Sequence, residues 1–246
     1  MRRVAVAGGT GVVGRHVVDV LREHGHQPIV LSRRDGVDVR TGAGLPAALD
    51  GVDAVVDVSN VVTLRRSVAE RFFSDVSRTL LDAGRQAGAR HHVALSIVGI
   101  DDVDIGYYAG KRAQERVVLA GDRTSVLRAT QFHEFAEQVV ERAAGPVRLV
   151  PRMRVQPVAA REVAEALVDL ALGDPVGRAP DLGGPEPHDL VDLARRVVAA
   201  RGSRRRVAPL PVPGAAGRAM ASGALLPGPG ARQGRTTFDR WLAGTG

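Results

Sequence analysis

The sequence predicts an α/β protein built on a doubly wound parallel sheet. Three observations predict it. Short, near-continuous apolar runs recur along the first half: Val4–Ala7, Pro28–Leu31, Ala54–Val58, His92–Val98 and Thr124–Leu127. Spans with helical apolar spacing separate them, and strands that read apolar throughout are those of a parallel sheet covered on both faces. A glycine-rich turn, Gly8–Gly14, joins the first strand to the first helix.

Val4–Ala7 is the first strand. Arg15–His24 repeats apolar residues at Val17, Val18, Val20 and Leu21 and stops before Gly25, a helix-end signal. Pro28–Leu31 is the second strand, and Ala54–Val58 the third, after the turn Asp50-Gly51. Ser67–Ala87 is a long amphipathic helix closing near Gly88. His92–Val98 is a strand, Tyr107–Leu119 a helix and Thr124–Leu127 a strand. The second half is less regular. Gln131–Ala143 reads as a helix, Val147–Val150 as a strand and Ala160–Leu172 as a helix, with another helix inside Pro187–Ala200. Pro209–Gly234, rich in Gly, Pro and Ala, reads as a loop with a short helix near Ala215–Gly223, and Phe238–Leu242 as a terminal helix.

Composition narrows the function classes. The 246 residues are 44% hydrophobic, enough for a sizeable core. No run approaches the roughly eighteen unbroken apolar residues of a membrane span, and the apolar start is too short for a signal-peptide core. A cytoplasmic protein without a membrane partner is expected. With no Cys, disulfides, thiolate catalysis and zinc-thiolate sites are excluded. His16, His24, His26, His91, His92 and His188 show no metal-ligand spacing with acids, so no metal is expected. The net charge of +7 comes from scattered arginines, and aromatics are only 3%. Without aromatic-basic interleaving, no nucleic-acid partner is expected. Monomer and homodimer both stay open.

The strongest motif is Val4-Ala5-Val6-Ala7-Gly8-Gly9-Thr10-Gly11-Val12-Val13-Gly14. It follows a strand and opens a helix, which is the context a dinucleotide-binding turn requires. One glycine permits the tight turn, one lets backbone approach a pyrophosphate, and one lets the helix pack against the sheet. Amides at the helix start then face the anion. An NAD site usually places an acid at the end of the second strand. Here the strand ends Leu31-Ser32-Arg33-Arg34. A hydroxyl and two guanidiniums suit a 2′-phosphate, which favours NADP(H). Asp35, one residue late, is placed to pair with Arg34.

Of 34 basic residues only Lys111 is a lysine, and it follows the two tyrosines, Tyr107 and Tyr108. Tyr107 and Lys111 are four apart and share a helix face. A cation near a phenol favours the phenolate, and such a phenol exchanges protons during carbonyl–alcohol interconversion. Lys111 could also hold the nicotinamide ribose. Ser96, at the end of the preceding strand, is a candidate to orient a substrate oxygen.

At these residues the chain resembles the short-chain dehydrogenase/reductase superfamily, and more closely its atypical NmrA-like NAD(P)-binding branch. The segments VAVAGGTGVVGRHVV, LSRR, GVDAVVDVSN, HHVALSIVGID, YYAGKRAQERVV, TSVLRATQFHEF and VQPVAAREVAEALVDLA carry the resemblance. It implies a Rossmann domain over 1–150 and a smaller substrate lobe over 151–246, partly interleaved with it. By the same similarity Gly8, Thr10, Gly11, Val12, Val13 and Gly14 line the pyrophosphate and ribose. Ser32, Arg33 and Arg34 meet the adenosine phosphate, and Val58, Ser59 and Asn60 lie along adenine and ribose. Ala129, Thr130, Gln131 and Phe132 sit near the nicotinamide. Ser96, Tyr107 and Lys111 match the catalytic positions. The eleven-residue spacing from Ser96 to Tyr107 is slightly short for the superfamily. Tyr108 competes for the phenol's role from about 100° around the helix. Tyr108, Gln131 and His133 are substrate-pocket candidates. The resemblance implies an NADPH-dependent reductase of a carbonyl or conjugated C=C in a small organic substrate, with hydride from NADPH and the proton from Tyr107. The alternatives are a non-catalytic NADP(H) sensor and an NADP-retaining enzyme with non-redox chemistry.

Overall fold

The computed structural model describes residues 1–244. The first nine elements are β1 (Arg3–Ala7), α1 (Val12–Glu23), β2 (Gln27–Leu31), α2 (Leu45–Ala48), β3 (Ala54–Asp57), α3 (Arg66–Gln86), β4 (His91–Ile97), α4 (Gly106–Leu119) and β5 (Thr124–Ala129). There follow α5 (Glu134–Arg142), β6 (Val147–Pro151), β7 (Arg154–Val155), α6 (Ala160–Leu172), β8 (Gly177–Arg178), β9 (Leu182–Gly183) and β10 (His188–Asp189). The last are α7 (Leu190–Ala200), β11 (Arg206–Leu210), α8 (Gly214–Ser222), β12 (Arg232–Gln233) and α9 (Phe238–Ala243). The backbone gathers into two compact units interleaved along the chain. One holds residues 1–96, 105–128 and 161–180; the other holds 97–104, 129–160 and the chain from 181 onward. The last two residues of the 151–246 span lie outside the described residues.

The first unit carries the strand order β2-β1-β3-β4-β5, with β8 against β5. β1 pairs in parallel with β2 and β3, and β3 with β4. Val4, Ala5, Val6 and Ala7 are fully buried, as are Val55 and Val56 to within 1%. Strands buried this completely are those of a parallel sheet covered on both faces. α1 contributes the stripe Val13, Val17, Val18, Val20 and Leu21, spaced as one face of a helix. α3 buries Ala69, Phe73, Val76 and Leu80, and the last two join Ala5, Ala7, Leu31, Leu45, Leu49 and Val55 in one core cluster. α3 and α4 pack closely because α4 carries Gly110. A Cβ there would lie 2.7 Å from Ala69 Cβ and 2.8 Å from Phe73 Cδ2.

The second unit is built from short pairs. β6 and β11 run parallel, β7 and β10 antiparallel, and β9 pairs in parallel with β12 and with Ala129. α7 starts at Asp189, whose side chain accepts from the Val191 amide at 2.8 Å; α9 starts at Thr237, which accepts from Arg240. Both are N-caps that satisfy an otherwise unpaired helix amide. The segment expected to be mostly loop is more ordered than its composition suggests. The short helix expected near Ala215–Gly223 is present at Gly214–Ser222, and the added order is two strands, Arg206–Leu210 and Arg232–Gln233. Pro209 sits in β11, which has a single pairing partner, β6; an edge strand tolerates the missing N–H.

Candidate active site

The Gly8–Gly14 turn leaves the end of β1 and enters α1. Gly8 has φ +81°, a left-handed backbone that a side chain disfavours. A Cβ on Gly8 would lie 2.7 Å from Val58 O and 2.9 Å from Ser59 N, so the turn abuts the segment after β3. A Cβ on Gly14 would lie 2.1 Å from Gly8 O. The turn closes by Gly11 N donating to Gly8 O at 2.9 Å, and Arg15 N reaches back to Gly11 O at 3.1 Å. Val12, Val13 and Gly14 occupy the first turn of α1, where amides lack intrahelical acceptors. That turn contains no acid, so its positive end is uncompensated. A backbone cleared of side chains beside free amides fits a pyrophosphate.

After β2, Arg33–Asp35 forms a short 3-10 turn, with Arg33 and Arg34 exposed. The expected Asp35–Arg34 pair is not formed. Asp35 instead accepts from Ser32 Oγ at 2.5 Å, because the turn brings residues three apart together.

Tyr107 lies in the first turn of α4, half-buried, and its hydroxyl donates to Asn60 Oδ1 at 2.8 Å. Its ring stands edge-on to Phe73 at 5.7 Å. Tyr108 is buried beside it at 6% exposure, its ring 5.9 Å away. Lys111, although expected as Tyr107's partner, has acceptors of its own. Its Nζ donates to Leu95 O at 2.6 Å and to Gln114 Oε1, and lies 4.6 Å from the Phe73 ring centre. Burial pulls the Lys111 ammonium down to about 8, against the opposing pull of Asp57 and Glu115. Ser96 is 2% exposed and its Oγ has no hydrogen-bond partner. A buried hydroxyl left unpaired is costly, and a ligand oxygen would satisfy it.

Ala129, Thr130, Gln131, Phe132 and His133 belong to the second unit. Thr130 Oγ1 donates to Gln156 O at 2.5 Å. Phe132 forms a backbone bridge with Val158. Both polar atoms of the Gln131 amide are buried without partners. His133 is fully buried, with Nε2 3.0 Å from Thr236 O and its ring 5.6 Å from those of Phe238 and Trp241. It packs α9 in place.

Several residues given no role from sequence stand out around Lys111. Asp57 is fully buried and accepts from Ser59 N, Ser59 Oγ and Gln114 Nε2 at 3.0, 2.6 and 2.8 Å. Arg128 of β5 and Glu115 of α4 form a bidentate pair at 2.7 and 2.6 Å, their side chains 5% and 8% exposed. The available signal was a charge in an otherwise apolar strand, AVVD in β3 and TSVLRA in β5. Such a charge needs a buried partner.

Comparison with known proteins now bears on this arrangement. Residues 4–101 match the NAD-dependent epimerase/dehydratase family. The chain is also 30% identical to a ceramide reductase of Caulobacter vibrioides, over 91% of its own length and 77% of that protein's. The chain belongs to the NAD-dependent epimerase/dehydratase family. That family consists of NAD(P)-binding enzymes of oxidoreductase and epimerase type. Solved structures share its fold. A short-chain dehydrogenase/reductase superfamily protein from Agrobacterium tumefaciens with bound NAD superposes with a TM-score of 0.71 at 20% identity, over 99% of this chain and 95% of that one. An NADPH-dependent quinone oxidoreductase from Escherichia coli gives 0.68 at 16% identity, over 98% and 99%. A UDP-glucose 4-epimerase from Thermus thermophilus in complex with NAD gives 0.67 at 20% identity, over 99% and 93%. Among the described residues no helix is long and apolar enough to cross a membrane, and no cluster of His, Asp and Glu could hold a metal ion.

Proposed function

We propose that the protein is an NADPH-dependent reductase of a carbonyl or conjugated C=C in a small organic substrate. The observation that carries this is Tyr107, a half-exposed phenol hydrogen-bonded to Asn60, in the same unit as a glycine cradle suited to a pyrophosphate. When bound, the nicotinamide cofactor would supply hydride. Gly8, Thr10, Gly11, Val12, Val13 and Gly14 would hold its pyrophosphate through backbone, and Val58 and Ser59 would flank its adenosine, with Asn60, bonded to the Tyr107 hydroxyl, toward the nicotinamide ribose. Tyr107 would give its hydroxyl proton to the substrate oxygen, exchanging the hydrogen bond it donates to Asn60 Oδ1 for one to that oxygen. Ser96 Oγ would orient that oxygen, filling its missing hydrogen bond. Lys111 would favour the phenolate through its charge, from its seat on Leu95 O. In the second unit, Gln131 is the substrate contact we favour, because its amide needs partners; Ala129, Thr130 and Phe132 would lie by the nicotinamide. The ceramide reductase likeness supports reduction over epimerisation. The retained motif order supports the NmrA-like branch.

Arg33 and Arg34 would receive the 2′-phosphate. The Ser32–Asp35 hydrogen bond favours a second reading, NAD, since a carboxylate on the strand-end hydroxyl opposes a phosphate there. One assay addresses both. Purified protein is mixed with NADPH or NADH and a panel of ketones, quinones and enones, and loss of reduced-nicotinamide absorbance is followed. Turnover with NADPH is expected, falling about 10²- to 10⁴-fold in Tyr107→Phe, the usual yield of a positioned proton donor. Arg33→Asp with Arg34→Ala should move preference toward NADH. Tight NADPH binding with no turnover on any substrate would replace the reductase with a sensor.

A further inference from the structure

Beside the groups assigned to reduction, α4 carries a buried amide with only one workable orientation. Asp57 uses both carboxylate oxygens: Oδ1 accepts from Ser59 N and Ser59 Oγ, and Oδ2 from Gln114 Nε2 at 2.8 Å and from Ser77 Oγ at 3.4 Å. A carboxylate only accepts, so Gln114 must present its NH2 to Asp57. Its Oε1 then faces Lys111, whose ammonium only donates. Flipping the amide would set oxygen against carboxylate and NH2 against ammonium. Gln114 is 1% exposed, so water offers no alternative partner. The polarity of one residue is thereby transmitted from β3 to the lysine.

We propose that Asp57 and Gln114 are positioning residues for Lys111: the carboxylate fixes the amide, and the amide oxygen fixes the ammonium against Leu95 O. This rests on the reading of Lys111 as a functional group. Among the described residues, the charges that act on Lys111 are Asp57 and Glu115. Asp57 comes from β3 and Glu115 from α4 itself. Arg128 of β5 neutralises Glu115. His92 of β4, influenced by Asp57, is held uncharged near neutral pH because burial pulls it down to about 4. α3 contributes the uncharged Ser77 and Phe73. Asp57 pushes the Lys111 ammonium up against its desolvation. Loss of the acceptor or of the carboxylate must therefore lower it.

Lys111 is the sole lysine, so lysine labelled with ¹³C and ¹⁵N gives one side-chain signal, and its titration can be read by NMR without cofactor or substrate. The wild-type midpoint is expected near 8. In Gln114→Met, similar in size but without an acceptor, it should fall by about one unit, and Asp57→Asn should lower it too. Ser77→Ala, which removes only the long contact, should leave it in place. An unmoved midpoint in folded Gln114→Met would overturn the proposal. Should the variants fail to fold, the wild type decides: a midpoint at the ordinary 10.5 with fast-exchanging ammonium protons would equally overturn it. In turnover assays the alkaline limb should move with the NMR midpoint, whereas a merely structural loss would lower activity evenly at every pH. A moving midpoint alongside full turnover in Lys111→Met would uphold the positioning and defeat the reductase role of Lys111.

Discussion

At the Gly8–Gly14 turn the polar groups are backbone amides, and side chains are missing where they would obstruct. Beneath α3 and α4, in the same unit, the polar groups are side chains, and they are buried: Asp57, Ser77, Lys111, Gln114, Glu115 and Arg128 are all under 7% exposed. At Gly8 and Gly14 the turn tolerates no added Cβ because what it would meet is backbone. In the side-chain layer each charge relies on another from a different element, Lys111 on Asp57 and Arg128 on Glu115. The two regions should therefore break in opposite ways, one by insertion and one by deletion.

Deletion in the polar layer should cost most. Glu115→Ala leaves the Arg128 guanidinium at 4% exposure without its carboxylate. Breaking a buried pair from one side costs about 3–5 kcal/mol, whereas replacing both partners by apolar residues of similar volume is often near neutral. Chemical denaturation should show Glu115→Ala far below wild type and Glu115→Leu with Arg128→Met much closer to it. Equal losses in the two would mean that the pair contributes shape and not charge balance.

Insertion at the turn comes next. A Cβ on Gly14 meets backbone at 2.1 Å and cannot be relieved by rotating a side chain. Gly14→Ala should lose about 1–3 kcal/mol from overpacking, together with dinucleotide binding. Gly25 ends α1 with φ +74° and nothing within 4 Å of its missing Cβ. Gly25→Ala should cost only the left-handed backbone term, about 1 kcal/mol, and leave binding intact. Thermal melts with a fluorescence titration of NADPH separate the two. Retained binding in Gly14→Ala would show that the cradle lies elsewhere.

The contrast also explains what could be read in advance. The turn was legible because its device is the absence of side chains, and glycines at fixed spacing record that locally. The strand and helix order was legible for the same reason, since burial pattern and spacing are local. The layer under α3 and α4 was not. Asp57, Gln114, Glu115 and Arg128 acquire meaning only when β3, α4 and β5 are adjacent, and separations of 57 residues for Asp57–Gln114 and 13 for Glu115–Arg128 carry no signal of that. Lys111 was noticed for its rarity, yet its partners turned out to be Leu95 O and Gln114. The β11 strand was hidden by Pro209 and by the prolines that follow it, Pro211 and Pro213, which local chemistry alone marks as loop.

The smallest effect expected concerns two neighbours that divide along the same line. His91 and His92 are adjacent on β4, and alternation sends their side chains to opposite faces. His91 is partnered, with Nε2 2.8 Å from Ser125 Oγ and Nδ1 3.2 Å from Gly173 O. His92 has no hydrogen bond at either nitrogen, and burial holds it at about 4 against an ordinary 6.5. A folded value below the unfolded one means that the unfolded chain takes up the proton first. His92 is thus neutral in both states above 6.5, and stability drains away as pH falls from there toward 4. Between pH 7 and pH 5.5 that loss is ~1 kcal/mol, at 1.36 kcal/mol per unit of separation. His92→Leu removes the titration and both unpaired nitrogens, so its stability should decline less than that of wild type over the same interval. His91→Leu should instead lose stability at pH 7, because it removes both of its ring hydrogen bonds and leaves Ser125 Oγ with the Val176 amide alone. Parallel pH curves for wild type and His92→Leu would show that His92 finds a partner as it charges, and would place it among the satisfied groups of the layer.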